Sequence, residues 1–275
     1  MSKTILITGC STGIGYVCAH ALNQQGFNVI ASCRQPQDVA RLQEEGLTCI
    51  QLDLNDPASI SKAVTETMLL CDNNLYALFN NGAYGQPGAL EDLPVEALKE
   101  QFQSNFFGWH QLVCEILPYM RKNGYGRIIQ NSSVLGFAAM KYRGAYNASK
   151  FAIEGWSDTL RLELHNTDIK LSIIQPGPIE TQFRANGLLK LNQWIDVTNS
   201  EHKQAYRIQL DRLADASSKN KFVLPAESII APLLHALNSP KPKLRYRVTT
   251  PTKVFSVLKR ILPTRWLDSL LRKAA

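Results

Sequence analysis

An apolar run, Thr4-Ile5-Leu6-Ile7-Thr8, breaks into Gly9-Cys10-Ser11-Thr12-Gly13-Ile14-Gly15, and a helical pattern follows over residues 14–25. No other feature restricts the fold so tightly. Gly9 permits a tight turn off the strand, Gly13 lets the backbone approach a diphosphate, and Gly15 lets the helix pack near the sheet. An anion then sits at the helix N-terminus, where free N–H groups and the helix dipole favour it. Glycines alone are a weak signal, because loops use them freely. Between a buried strand and a helix near the N-terminus they are a strong one.

The chain continues in the same alternation. Strands are expected at 4–8, 28–32, 48–52, 75–80, 126–132 and 170–175, with helical patterns at 14–25, 57–70, 95–122 and 145–165. Several strands are apolar nearly throughout, as in a sheet covered on both faces. The order predicts an α/β doubly wound parallel sheet, a Rossmann fold, with about seven strands, helices on both faces and right-handed crossovers. A helix at 225–237 and a last strand at 244–248 complete one domain spanning 1–275. Residues 178–222 are mostly polar, with apolar islands at Leu188, Leu189, Leu191, Trp194 and Ile195. A segment so long, 178–224 at its widest, reads as a substrate lid or as a surface loop with two small helices; the two readings are compatible.

Composition excludes several classes. The net charge is +7, but residues 240–275 hold ten Lys or Arg against one Asp, leaving −2 for the rest. The body is near neutral, so the global charge is no argument for nucleic-acid binding. The six cysteines are scattered with no C-x-x-C pair, pointing to neither a metal site nor a disulfide framework. No run resembles a signal peptide or a membrane span, so a cytoplasmic protein with reduced thiols is expected.

Strand two ends Ala31-Ser32-Cys33-Arg34, with no Asp or Glu between Asn28 and Arg34. NAD-binding folds usually place a carboxylate here for the ribose 2′-hydroxyl. An arginine instead attracts a 2′-phosphate through charge-assisted bonds. The expected cofactor is therefore NADP(H), read by Arg34 with help from Ser11; the other reading of Arg34 is a solvated surface charge. The cofactor would run along Gly9, Ser11, Thr12, Gly13, Ile14 and Gly15, with Asp53 and Leu54 beside the adenine and Asn80, Asn81 and Gly82 beside the adenosine ribose. Asp53 could equally cap the next helix, although Asn55 or Asp56, before Pro57, is the better cap.

Tyr146 and Lys150 stand four apart in a helical pattern and share a face. A free tyrosine has a pKa near ~10, and an adjacent ammonium is expected to lower it. That pair suits a general acid that protonates an alkoxide after hydride delivery. Ser133 ends strand five and would hold the substrate carbonyl oxygen. Asn105 is an odd choice inside a helix and would anchor a water in a proton relay to Lys150. A Tyr–Lys pair alone is common on helices. The order of glycine loop, Asn80-Asn81, Asn105, Ser133, Tyr146, Lys150 and Pro176-Gly177-Pro178 is what gives the pair weight.

These motifs together resemble the short-chain dehydrogenase/reductase family over roughly residues 3–250. The resemblance implies a catalytic triad of Ser133, Tyr146 and Lys150 with Asn105 as fourth member. It implies that Tyr146 and Lys150 also meet the cofactor, Lys150 at the nicotinamide ribose. Pro176, Gly177, Ile179 and Thr181 would surround the nicotinamide. An arginine directly after the usual acid position is the family's NADP-preferring pattern. One departure stands out: the family reads Asn-Asn-Ala-Gly after strand four, where this chain reads Asn80-Asn81-Gly82-Ala83, so backbone freedom is expected to move one residue earlier. The residues 29–34 and the basic tail look like the hydroxysteroid and retinol dehydrogenase branch. That implies a lipophilic aldehyde, ketone or alcohol and a homo-oligomer, dimer or tetramer, joined through the helices of Asn105 and Tyr146. The residues Leu135, Phe137, Ala138, Met140 and Tyr142 would line an apolar pocket or pack against the lid.

Residues 253–261 and 264–273 form two short amphipathic patterns separated by Pro263, within a basic tail at 250–275. Such a tail can lie on an anionic membrane surface, or cover the substrate cleft or a subunit interface. The expected activity is NADPH-dependent reduction of lipophilic aldehydes or ketones. The competing readings are NADP-dependent oxidation of a hydroxysteroid or retinol, and a non-catalytic NADP-binding redox sensor. Intact Tyr146 and Lys150 weigh against the last.

Overall fold

A computed structural model describes residues 3–214 and 222–274. Met1, Ser2, Ala275 and residues 215–221 of the expected lid lie outside it. The elements run β1 (Thr4–Ile7), α1 (Gly13–Gln24), β2 (Asn28–Cys33), α2 (Pro36–Glu44), β3 (Thr48–Gln51), α3 (Pro57–Leu70) and β4 (Leu75–Asn80) in the first half. The second half holds α4 (Val95–Phe102), α5 (Gly108–Asn123), β5 (Gly126–Asn131), α6 (Gly144–Glu163), β6 (Ile169–Gln175), α7 (Phe183–Trp194), α8 (Lys203–Ala214), α9 (Ile230–Asn238), β7 (Arg245–Arg247), α10 (Thr250–Ile261) and α11 (Thr264–Ala274).

Seven parallel strands form one sheet in the order β3-β2-β1-β4-β5-β6-β7. The order reverses between β1 and β4, and ligands of such sheets bind in the crevice at that switch point. Alternate residues of each strand feed two cores. Leu6, Leu78 and Ile128 pack with Trp109 of α5 and Ile153 of α6. Ile7, Phe79 and Ile129 pack on the opposite face with Cys18 of α1 and Leu233 of α9. Both faces are therefore dry, which is why the strands read as continuous apolar runs.

The stretch 95–122 is not one helix. Between α4 and α5 the segment Gln103–Phe107 is wound as a π-helix. That turn carries the fully buried Asn105. Its amide Nδ2 donates to the Tyr84 carbonyl at 2.9 Å while its Oδ1 accepts from the Tyr84 N–H at 3.2 Å. Satisfying both groups of a neighbouring loop compensates for the wider winding.

The expected lid forms a small core of its own. Leu191, Ile195 and Tyr206 bury against Ala89. Asp92 accepts from the Ser200 and Tyr206 hydroxyls, both at 2.7 Å. Glu100 of α4 holds Lys190 at 2.6 Å and the Trp194 indole at 3.2 Å. At its base Leu224 N–H donates to Pro178 O and Glu180 N–H to Leu224 O, closing the insertion into a loop.

Candidate active site

The turn from β1 into α1 adopts the conformation that its glycines permit. Gly9 and Gly13 have φ of +69° and +60°, which disfavours any side chain. Gly15 is needed for close approach instead: a Cβ there would lie 2.2 Å from the Gly9 carbonyl oxygen. Thr12 precedes α1 without a side-chain cap, and no acid stands in the first turn. The free N–H groups of α1 therefore face the cleft with no competing carboxylate. A nicotinamide dinucleotide's diphosphate fits this cradle on those grounds.

The turn is fastened to the end of β4. The Thr8 hydroxyl accepts from the N–H groups of Asn81 at 2.9 Å and Gly82 at 2.8 Å. The Asn81 amide donates to Thr8 O at 2.9 Å and accepts from Asn131 Nδ2 at 2.8 Å. Asn131 O in turn accepts from Lys150 Nζ at 2.8 Å. This relay joins the glycine turn to the Lys150 ammonium across three strands. Gly82 is absent from the positive-φ glycines, so the displaced glycine supplies no backbone freedom. It sits where the Gly9 backbone passes close: a Cβ on Gly82 would lie 3.2 Å from Gly9 N, a tight contact.

A cavity of about 360 Å³ opens beside these elements. Of the residues singled out from the sequence, Gly9, Ser11, Thr12, Gly13 and Ile14 line one wall. Asn81, Gly82, Ser133, Tyr146 and Lys150 line another, and Pro176, Gly177, Ile179 and Thr181 a third. Thr181 meets Gly13 across the mouth, where a glycine Cβ would lie 2.9 Å from its methyl group. Gly15, Arg34, Asp53, Leu54, Asn80 and Asn105 stand outside the lining. Asp53 closes a turn by accepting from Asn55 N–H at 2.9 Å, and Asp56 caps α3. Asn80 is fully buried, facing the α5 side of the sheet rather than the cavity. Asn105 lies beneath the Tyr84 loop, with Nδ2 3.4 Å from Ser149 Oγ. Arg34 is exposed at the tip of β2 and takes part in no ion pair among the described residues.

Tyr146 and Lys150 lie one turn apart on α6, both buried. The Lys150 ammonium is 5.7 Å from the centre of the Tyr146 ring and 4.3 Å from that of Trp109. Burial pushes the Tyr146 phenol up to about 12, and its contact with the Ser133 hydroxyl draws it partly back. Burial draws Lys150 down to about 7, with the Glu154 carboxylate opposing. The expectation of an acidified tyrosine is therefore corrected. Both groups are stripped of water, the ammonium is spent on Asn131 O and Trp109, and desolvation dominates. The resulting neutral phenol is the form that can donate a proton.

The far end of the cavity is apolar. Leu135 and Met140 line it, whereas Phe137, Ala138 and Tyr142 do not. Tyr142, at φ +58°, instead packs on Tyr206 of α8, ring centres 6.0 Å apart. Three residues not singled out from the sequence matter here. Phe183 of α7 lines the cavity edge-on to Tyr146, ring centres 5.3 Å apart. Asn131 carries the relay described above. Arg41 of α2 donates to Ser11 O at 2.7 Å while paired with Asp38 and Glu45. Only Asn131 had a local signal, the polar run Gln130-Asn131-Ser132 at the end of an apolar strand.

Comparison with known proteins agrees with this architecture. The family model described as short chain dehydrogenase matches residues 3–192. The chain is 42% identical over 272 residues to the uncharacterized oxidoreductase YbbO of Escherichia coli K12, covering 99% of this chain and 95% of that protein. It is 38% identical over 185 residues to the 3-ketodihydrosphingosine reductase of Bacteroides thetaiotaomicron, covering 67% of this chain and 66% of that one. Among solved structures, a short-chain dehydrogenase from Streptomyces avermitilis superposes with a TM-score of 0.78 at 25% identity, covering 98% of this chain and 93% of that one. The chain belongs to the short chain dehydrogenase family and is an oxidoreductase that uses a nicotinamide cofactor.

Proposed function

We propose that this oxidoreductase is an NADPH-dependent reductase of lipophilic aldehydes or ketones. The observation that carries this reading is the buried Tyr146 beside Ser133, set between the glycine turn and the apolar wall of Leu135, Met140 and Phe183. A bound dihydronicotinamide supplies the hydride. Ser133 holds the carbonyl oxygen, and Tyr146 gives its phenolic proton to that oxygen as it becomes an alkoxide. Lys150 steadies the phenolate that remains and binds the nicotinamide ribose. Asn105, the fourth catalytic member, anchors a water in a proton relay to Lys150 and keeps the Tyr84 loop and the π-turn in place. Gly9, Ser11, Thr12, Gly13 and Ile14 hold the diphosphate, and Pro176, Gly177, Ile179 and Thr181 hold the nicotinamide. Arg34, unpaired at the tip of β2, takes the 2′-phosphate, with Asp53, Leu54, Asn80, Asn81 and Gly82 on the adenosine side.

The exposed Phe107 at the end of the π-turn, leading into α5, and Phe151 and Leu162 on α6 support a homo-oligomer joined through those helices. The six scattered cysteines, with no C-x-x-C pair, support a reducing compartment such as the cytoplasm. The deciding experiment follows NADPH oxidation with medium-chain aldehydes, retinal, ketosteroids and sugars, with NADH in parallel. Turnover of the apolar carbonyls with NADPH alone is expected. Silence across the panel with tight NADPH binding would overturn the reductase reading in favour of a redox sensor.

A further inference from the structure

The last two helices carry an apolar face left exposed among the described residues. From Thr264 to Arg272, α11 has no fully buried residue, and it packs chiefly on α10. Trp266 and Leu270 are 66% and 41% exposed on one side of it, with Arg265, Asp268 and Arg272 on the other. Val254, Val257 and Ile261 extend the exposed apolar surface along α10.

Beside this face, between β7 and α10, lies a second cavity of about 540 Å³. Lys243, Arg245, Arg247 and Lys253 line it, and among the described residues no Asp or Glu does. Of these, Arg245 is taken by Glu154 at 3.0 Å and Asp158 at 2.7 Å. Lys243, Arg247 and Lys253 form no ion pair among the described residues, and Arg247 Nε is buried without an acceptor. Three unneutralised cations at one concavity call for a compact polyanionic group such as a phosphate.

We propose that α10, α11 and the β7 edge form a docking surface for an anionic phospholipid bilayer. A headgroup phosphate enters the cavity of Lys243, Arg247 and Lys253, while Trp266, Leu270 and Ile261 enter the interfacial layer. Charge selects this occupant. A second copy seated by twofold symmetry would bring the same cations face to face. A nucleic acid would use the cations but not Leu270, Ile261 and Val257, which only an apolar layer rewards. Among the described residues no helix is long and apolar enough to cross a membrane, so the contact is peripheral.

The surface adjoins the candidate active site. Thr249, which caps α10, lies so close to Gly177 that a Cβ there would stand 2.1 Å from its hydroxyl oxygen. The helix also packs on the Val134–Gly136 turn that follows Ser133. A lipophilic carbonyl dissolved in the bilayer would thus arrive next to the cleft. That consequence rests on the reductase reading, whereas the docking does not.

The test is sedimentation of the full chain with phosphatidylcholine vesicles, with and without about a third phosphatidylglycerol. Binding is expected only with the anionic lipid, and it should weaken with salt. At about fivefold per cation, a variant combining Lys243→Gln, Arg247→Gln and Lys253→Gln should partition roughly a hundredfold less. Trp266→Ser with Leu270→Ser, at exposed positions, should release the protein with an unchanged thermal melt. Absence of sedimentation with anionic vesicles overturns the proposal. So does binding that both variants retain, or a dimer in ultracentrifugation that the Trp266→Ser/Leu270→Ser variant dissociates. Sedimentation needs no turnover, so it can fail while the reductase assay succeeds, and the reverse.

Discussion

In the proposed reaction, Tyr146 is the residue on which the chemistry turns. Its replacement by phenylalanine keeps the ring against Phe183 and removes only the proton. Turnover of Tyr146→Phe should fall by roughly a hundredfold to ten-thousandfold, the usual range for a general acid. NADPH affinity, measured by fluorescence titration, should barely change. Activity within a few-fold of the native protein would remove Tyr146 from the proton-donor role. Arg34 makes a different prediction. It is exposed and without an ion-pair partner among the described residues, so its charge is available to a ligand. Arg34→Asp should weaken NADPH by at least tenfold and leave NADH nearly unaffected, since only the former carries the 2′-phosphate. Equal losses for both cofactors would show that Arg34 does not read it. Both candidates could be singled out in the sequence because their signals are local: a helical spacing for Tyr146 and Lys150, and a missing carboxylate at a strand end for Arg34. Arg41 was not legible, because its bond to Ser11 O depends on how α2 packs beside the glycine turn.

At the scale of elements, the insertion read as a lid shows where sequence pattern ran out. Apolar islands at Leu191, Trp194 and Ile195 were visible, but their partner was not. Ala89 and Asp92 stand more than a hundred residues before Tyr206, and no periodicity links them. The π-turn at Asn105 was hidden for a related reason. Residues 95–122 are helical by pattern, and the wider winding comes from the Tyr84 loop that Asn105 has to satisfy. The lid gives the third prediction. The Tyr206 hydroxyl accepts from Ala89 N–H at 2.8 Å and donates to Asp92 at 2.7 Å. Tyr206→Phe strands the buried Ala89 N–H, at a cost of about 1–3 kcal/mol. Because α7 lines the cavity and α8 packs on it, loosening this clamp should raise KM for carbonyl substrates more than it lowers kcat. Hydrogen exchange should quicken in α7 and α8 and stay unchanged in the central strands. Faster exchange in the central strands would mean that the lid is not an independent unit.

For the whole molecule, the sheet was the most legible part. Alternation of apolar runs with helical patterns, joined to the right-handed crossover rule, leaves few topologies, and the observed order reverses at the glycine turn as such sheets do. What no pattern could give is the cost of the site the sheet positions. Lys150 is buried in the heart of α6 and held at about 7, against 10.5 when free. In the unfolded chain it stays protonated up to its ordinary value; in the folded one it gives up its proton near neutral pH. Between those values the unfolded state binds more protons, so stability rises with pH across that window. The penalty is fully present below about pH 7, fades as pH climbs through that window and is gone above the free lysine value of 10.5. Lys150→Met removes the charge while keeping much of the packing against Trp109. It also leaves Asn131 O without its donor, a loss of about 1 kcal/mol that does not depend on pH. In cofactor-free protein the variant should therefore be more stable than the native chain at about pH 6.5. The gain should reach up to a few kcal/mol, because each tenfold loss of proton affinity on folding costs about 1.4 kcal/mol. The advantage should shrink steadily toward about pH 10. Tyr146, pushed the other way, loses its proton only above the free tyrosine range and affects both proteins alike in this window. Thermal melts of the two proteins at matched pH measure the difference directly. Parallel stability curves would mean that Lys150 keeps its charge at no cost, held by Asn131 O and Trp109 well enough to replace the water it has lost.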